Sequence, residues 1–245
     1  MTIRISRRAI LKSSAVASLA IGQGVALPAI SRAQSRPAFT HGLQSGDIGH
    51  TSGMVWARAD RPSQVFFEYA TTESFSDAQS LPPLAALPES DFAVKRLLAD
   101  LPPDQKIFYR VRLADLSDVN AVSEPLVGSF RTAPMTKRSV RFAWSGDTAG
   151  QGWGISAEHD GMKTYASMQA SEPEFFIHSG DTIYADGPIA AEKDMPGGGK
   201  WKSLTEEGVE KVAETLDEFR GRWKYNLRDE HVRSFNAAVP TIFQW

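Results

Sequence analysis

The stretch Phe175-Phe176-Ile177-His178-Ser179-Gly180-Asp181-Thr182-Ile183-Tyr184 decides the fold. Its first three residues are apolar without polar alternation, as in a strand buried on both faces, and they run into a turn that carries a carboxylate. Upstream the same grammar occurs once more: residues 140–144 predict an apolar strand that ends in Ser145-Gly146-Asp147. Between the two, Asp160 is placed to cap a helix with Met162, Tyr165 and Met168 at helical spacing, and Pro173 stops it. Downstream, Ser203 and Glu206 form a capping box ahead of Val209, Val212, Leu216, Phe219 and Trp223, which share one face of a longer helix. Residues 239–245 predict a third strand. Strand, helix, strand, helix, strand is the pattern of a parallel sheet built from right-handed crossovers. The loop Pro196-Gly197-Gly198-Gly199, between the second strand and the long helix, reads as flexible and close to a substrate cleft.

Working outward, Ala133-Pro134-Met135-Thr136-Lys137-Arg138 reads as a linker, and before it the grammar is that of short strands. Strands are predicted over 53–58, 65–70, 92–98, 107–113 and 126–132, rich in β-branched and aromatic residues and separated by turns such as Leu101-Pro102-Pro103-Asp104. Their spacing is that of an all-β sandwich over residues 39–132. Leu101-Pro102-Pro103 followed by Tyr109-Arg110-Val111 resembles a fibronectin type III domain, in which a tyrosine near the start of a late strand anchors a corner. The α/β part is expected over residues 139–245.

The first 33 residues read as an address. Ser6-Arg7-Arg8-Ala9-Ile10-Leu11-Lys12 sets a twin arginine before an Ala- and Gly-rich apolar stretch, and Ser31-Arg32-Ala33 places small residues where a signal peptidase cuts. That stretch falls short of the roughly 20 strongly apolar residues of a stable membrane span. The expectation is export by the twin-arginine machinery to the periplasm or beyond, in an already folded and metal-loaded state. The chain of 245 residues has no Cys, so no disulfide framework awaits an oxidising compartment. Five of the 27 basic residues and none of the 29 acidic ones lie in the address, which leaves 22 against 29, a net charge of −7. A nucleic-acid-binding surface would carry a basic excess instead.

In open α/β sheets ligands gather outside the carboxyl ends of the strands, so Asp147 and Asp181 are expected on one rim. Carboxylate oxygens suit hard cations, and one such group can bridge two ions about 3.5 to 4 Å apart. A Gly-Asp after a strand can equally be a turn or a helix cap. Gly180-Asp181-Thr182-Ile183-Tyr184 resembles the Gly-Asp-x-x-Tyr signature of the PhoD-type alkaline phosphatase family, and residues 142–154 resemble the first metal-binding loop of one branch of it. His41-Gly42-Leu43-Gln44-Ser45-Gly46-Asp47 has the family's Gly-x-x-Ser-Gly-Asp form at the start of its fibronectin-like domain. The resemblance covers essentially the whole chain after residue 33. It implies an all-β sandwich domain followed by a truncated α/β metallophosphoesterase domain.

It also implies that Asp147 is a ligand of a first metal, Asp181 a bridging ligand and Tyr184 a phenolate ligand. The metals implied are calcium and iron: phenolate is a strong donor to ferric iron, whereas calcium prefers carboxylates, carbonyls and water. Tyr184 also has a plainer reading, as a packed aromatic with its hydroxyl hydrogen-bonded. His178 reads as a core or supporting histidine rather than a ligand. Glu158 and His159 fall in a solvated loop that could reach substrate, Asp47 reads as a turn residue, and Asp186 could support the site. Many family members place a Cys ligand near the first metal loop, and this chain has none, so its iron site uses another ligand or is of another type. The implied activity is hydrolysis of phosphomonoesters or phosphodiesters, with a phospholipase D-like phosphodiesterase as the runner-up. A secreted sandwich protein whose α/β part is a mere scaffold is the reading from another class. In the family, a strand like Pro240-Thr241-Ile242-Phe243-Gln244-Trp245 runs on into an Asp-Asp-His-Glu segment that supplies further ligands. The expectation is therefore an N-terminal portion with little turnover of its own.

Overall fold

Alternation of apolar and polar side chains builds the first half of the molecule. The computed structural model describes residues 36–148 and 152–244, so the proposed address at residues 1–33 lies outside the described residues. Strands β1 (Leu43–Gly46), β2 (Gly53–Arg58), β3 (Ser63–Ala70), β4 (Gln79–Ser80), β5 (Leu84–Ala86), β6 (Ala93–Leu98), β7 (Lys106–Asp115) and β8 (Leu126–Arg131) form two antiparallel sheets. One has the order β1-β2-β6; the other has β4-β3-β7-β8, with β5 also on β3. The two inner faces interdigitate through Val55 and Ala57 of β2, Phe67 of β3, Ile107, Val111 and Leu113 of β7, and Phe130 of β8, all almost fully buried. The period of 2 puts these residues on one side of each strand, which is why the register is fixed.

Tyr109 departs from the corner role expected of it. It lies within β7 in the centre of this core, and its buried hydroxyl faces Ser45 without reaching a hydrogen-bond partner among the described residues. Burial pushes the phenol well above its usual pKa. The turn at Leu101–Asp104 is pinned instead by Thr132, whose hydroxyl donates to the Pro102 carbonyl at 2.7 Å and accepts from the Gln105 N–H at 2.9 Å.

The second half is a parallel sheet with helices on one face. Its elements are β9 (Phe142–Ser145), α1 (Lys163–Ala170), β10 (Phe175–His178), the hairpin β11 (Glu192–Asp194) and β12 (Lys200–Lys202), α2 (Leu216–Asn226), α3 (Glu230–Ala238) and β13 (Thr241–Phe243). Strand order is β13-β10-β9, both pairings parallel, with Phe176 opposite Ala143 and Thr241. Tyr165 of α1 and Phe235 of α3 pack edge-on around Phe176, their ring centres 6.2 and 5.4 Å from it. On the other face Phe142 stacks on Phe175, and Phe142, Trp144 and Ile242 are exposed.

Helix starts differ from the sequence reading. Asp160 does not cap α1: it has φ 60° and closes a single 3-10 turn, while the N-cap of α1 is Met162. The capping group comes from 67 residues away, because Asp229 Oδ2 accepts the Met162 N–H at 2.9 Å while its Oδ1 caps α3. The predicted box at Ser203 and Glu206 does not form either. Gly208 takes φ +90° and breaks any helix there, and α2 starts twelve residues later with a complete box, Thr215 and Glu218. Consequently Val209 is a buried loop residue beside Tyr225, and Leu216 and Phe219 are exposed. The glycines 197–199, read as a flexible loop, are the tip of the β11–β12 hairpin, all at positive φ.

Residues 36–245 form one compact unit, and the join between sandwich and α/β layers depends on missing side chains. Arg138, at the linker, donates to Asp104 on one side and to Glu174 on the other at 2.8 Å, and its guanidinium holds the Glu174 carboxyl below its usual pKa. At Gly128 of β8 an added Cβ would overlap the Tyr109 phenol and stand 2.7 Å from the Ala237 carbonyl of α3. We therefore expect Gly128→Ala to lower stability by about 1–3 kcal/mol through overpacking, read as a shifted urea midpoint; an unchanged midpoint would mean that the layers can slide apart at no cost.

Candidate functional site

Each of the first two parallel strands is followed, two or three residues past its end, by an aspartate with a left-handed backbone. Asp147 has φ 58° and Asp181 has φ 55°, a region that Asp tolerates better than most residues. Gly180 shares that conformation at φ 101°, but Gly146 does not, so after β9 it is the aspartate rather than the preceding glycine that makes the bend. The two turns are tied to each other: Asp147 N–H donates to the Gly180 carbonyl at 3.1 Å and Thr148 N–H to the Asp181 carbonyl at 2.9 Å.

This pairing brings the three residues singled out by sequence to one rim. The Tyr184 hydroxyl lies 3.0 Å from Asp147 Oδ2 and 3.0 Å from Asp181 Oδ2, so the carboxylate oxygens are no farther apart than twice that distance. Both aspartates are exposed and Tyr184 is half-buried. Desolvation, reinforced by the two hydrogen bonds and the two negative charges, pushes the phenol well above its ordinary pKa. Two carboxylates and one phenol offer a single proton for two close contacts, which makes the donor set that of a hard cation site. Asp147, Asp181 and Tyr184 are the residues that could hold such an ion.

Behind the rim lies a buried network. His178, 1 % exposed, faces Thr148 Oγ1 with Nε2 at 2.7 Å and Thr182 Oγ1 with Nδ1 at 3.4 Å; Thr148 in turn shares a 2.6 Å hydrogen bond with the Tyr165 hydroxyl. Each threonine follows one of the two aspartates, so one imidazole supports both turns. Burial lowers the His178 pKa against the pull of Asp147 and Asp181, keeping the ring neutral. On the other side the Asn226 amide of α2 donates to the Thr182 carbonyl at 2.8 Å.

The remaining candidates are engaged elsewhere. His159 stacks flat on Trp201 at 4.5 Å and Glu158 pairs with Lys202 at 2.8 Å, both against the hairpin. Asp47 is a left-handed turn residue after β1, and Asp186 is an exposed charge that acts on Arg222. Sequence reasoning did not assemble Asp160, Glu230 and His231, whose donor atoms lie within 4.8 Å of one another. There the Asp160 carboxylate, 3.3 Å from His231 Nε2, raises the imidazole pKa.

Comparison with known proteins returns two matching family models, that of the PhoD-like phosphatase N-terminal domain over residues 24–134 and that of the PhoD-like phosphatase over residues 142–245. A solved structure of PhoD superposes with a TM-score of 0.66 at 22% identity, covering 86% of this chain. The chain spans 39% of the length of that structure. The purple acid phosphatase PPD1 from yellow lupin (Lupinus luteus) seeds aligns with a TM-score of 0.48 at 11% identity, over 85% of this chain and 35% of its own. No curated protein matches.

The buried network makes its own demand. Thr148→Val would leave the His178 imidazole and the Tyr165 hydroxyl short of a partner, and we expect a loss of about 1–3 kcal/mol in urea unfolding. Thr148→Ser, which keeps the hydroxyl, should recover most of it. A loss in Thr148→Ser with none in Thr148→Val would assign the effect to the methyl group instead.

Proposed function

Since the chain belongs to the PhoD-like phosphatase family, we propose that it carries part of the metal site of a phosphoesterase that hydrolyses phosphomonoesters or phosphodiesters. The observation behind this reading is the meeting of Asp147, Asp181 and Tyr184 oxygens on the carboxyl rim of the parallel sheet. In this reading Asp147 holds a first ion, Asp181 bridges two and Tyr184 adds a phenolate, the ions being calcium and iron. When bound, such ions supply Lewis acidity toward a phosphoryl oxygen and lower the pKa of water. The residues of this chain do the positioning: the paired turns fix the separation of the carboxylates, and the neutral His178 behind them keeps Thr148 and Thr182 in place.

Three oxygen donors fill only a fraction of two coordination shells, so the 245-residue chain alone is proposed to turn over slowly. The test compares residues 34–245 with a protein of the family's full length, on p-nitrophenyl phosphate and its bis ester, with calcium and iron supplied. The longer protein should be the active one, and Asp181→Asn should cost it about 100-fold or more in kcat together with bound metal. Full activity and metal content in that variant would refute the ligand assignment.

The reading extends to export by the twin-arginine machinery, supported by Ser6-Arg7-Arg8 and Ser31-Arg32-Ala33. Among the described residues no helix is long and apolar enough to cross a membrane. Arg7→Lys together with Arg8→Lys should hold the product in the cytoplasm, as seen by fractionation; undiminished export would exclude this route.

A further inference from the structure

The β1-β2-β6 sheet has an outer face that the second sandwich sheet does not cover. Gln44, Met54, Trp56 and Lys95 lie on it, and across from them stand α2 and the end of β13. Between these walls is a cleft of about 600 Å³, within the range of roughly 300–1,000 Å³ typical of small-molecule sites. None of Asp147, Asp181 and Tyr184 lines it.

Two properties of the cleft point to the same kind of ligand. The first is flat apolar surface on both walls: Trp56 on the sandwich side, and on the other Trp223 and Phe243, which meet edge to face at 5.5 Å. Indole and phenyl faces of this kind suit a planar ring. The second is charge. Four cations, Arg58, Lys95, Arg220 and Lys224, line the cleft against two carboxylates, Asp47 and Asp91, in a chain whose overall charge is negative.

The arrangement of these charges leaves an excess at one end. Arg58 and Lys224 both pair with Asp91, at 2.7 and 3.0 Å, so two cations share one carboxylate. The Arg58 side chain is only 10% exposed, which limits screening by solvent. Lys95, directly across the strand pair from Trp56, has no ion-pair partner among the described residues. The buried imidazole of His41, 3.3 Å from Arg58, is held down to about 4 by burial and then by Arg58, Lys224 and Arg228, in keeping with a positive local potential.

We propose that this cleft binds an organic phosphate bearing a flat ring, of the size of a mononucleotide. The ring lies between Trp56 and Trp223, and the phosphate sits toward Lys95 and the Arg58–Lys224 pair, where guanidinium and ammonium groups supply charge-assisted donors. Recognition here needs no metal.

The experiment is equilibrium binding to the full chain with chelator present, followed by tryptophan fluorescence and by calorimetry, with adenosine monophosphate, adenosine and inorganic phosphate as probes. Adenosine monophosphate should bind at least about tenfold more tightly than either part alone, as expected when both walls contribute. Lys95→Glu, an exposed strand position, should weaken adenosine monophosphate at least about fivefold and leave adenosine unchanged. Trp56→Ala should weaken both. Absence of binding at millimolar concentration, or binding untouched by Lys95→Glu in a protein with unaltered urea unfolding, would overturn the proposal.

Discussion

Two backbone hydrogen bonds, from Asp147 N–H to the Gly180 carbonyl and from Thr148 N–H to the Asp181 carbonyl, carry the pairing of β9 and β10 past the ends of the strands. They hold both turns in one fixed relation, and everything at the rim follows from that relation. Left-handed backbone at a non-glycine residue is costly, and at Asp147 and Asp181 it is held by carbonyls of the second turn that accept both N–H groups of the first. The strain is local and the result is not: two carboxylates on different turns arrive at one phenol oxygen. A neutral, buried histidine then props the pair from behind, linked to Thr148 and Thr182.

The sandwich is packed against this α/β layer rather than tethered beside it. Gly46 lies where a Cβ would approach the Thr241 carbonyl to 2.8 Å, and Gly128 lies against Ala237. At both places the chain gives up a side chain so that backbone of one layer can reach backbone of the other, a use of glycine that does not involve its conformational freedom. The cleft between the outer face of the β1-β2-β6 sheet and α2 opens beside this junction, with Gly46 and Thr241 among its lining residues.

Legibility from sequence followed locality. Strands with alternating burial, such as β2 and β7, and strands with plain apolar runs, such as β10, were readable because the signal lies within a few residues. The meeting of Asp147 and Asp181 on one rim was readable because both follow the ends of parallel strands, whereas Tyr184 entered only through the resemblance of Gly180-Asp181-Thr182-Ile183-Tyr184 to a family signature. Helix starts were misread where capping depended on distant groups. Ser203 with Glu206 and Thr215 with Glu218 carry identical grammar, and only the left-handed Gly208 and the burial of Val209 decide between them. Helix α3 was overlooked although Asp229 offers a sound N-cap, and the partnership of Asp160 with His231 joins positions 71 apart. The link from His178 through Thr148 to Tyr165 had no local pattern, since it exists only once β9, α1 and β10 are packed.

The double use of Asp229 bears on the order of folding during synthesis. A ribosome delivers α1 long before residue 229, so the first turn of that helix waits with an unsatisfied donor until the segment leading into α3 has emerged. The eight-residue α1 is too short to persist alone in water. The sandwich has no such debt to later sequence, because its core residues all lie between Leu43 and Phe130. Vectorial synthesis therefore yields a closed β-domain first, and the rim with its two aspartates is assembled in a late, cooperative step that involves β9, α1, β10 and α3 together.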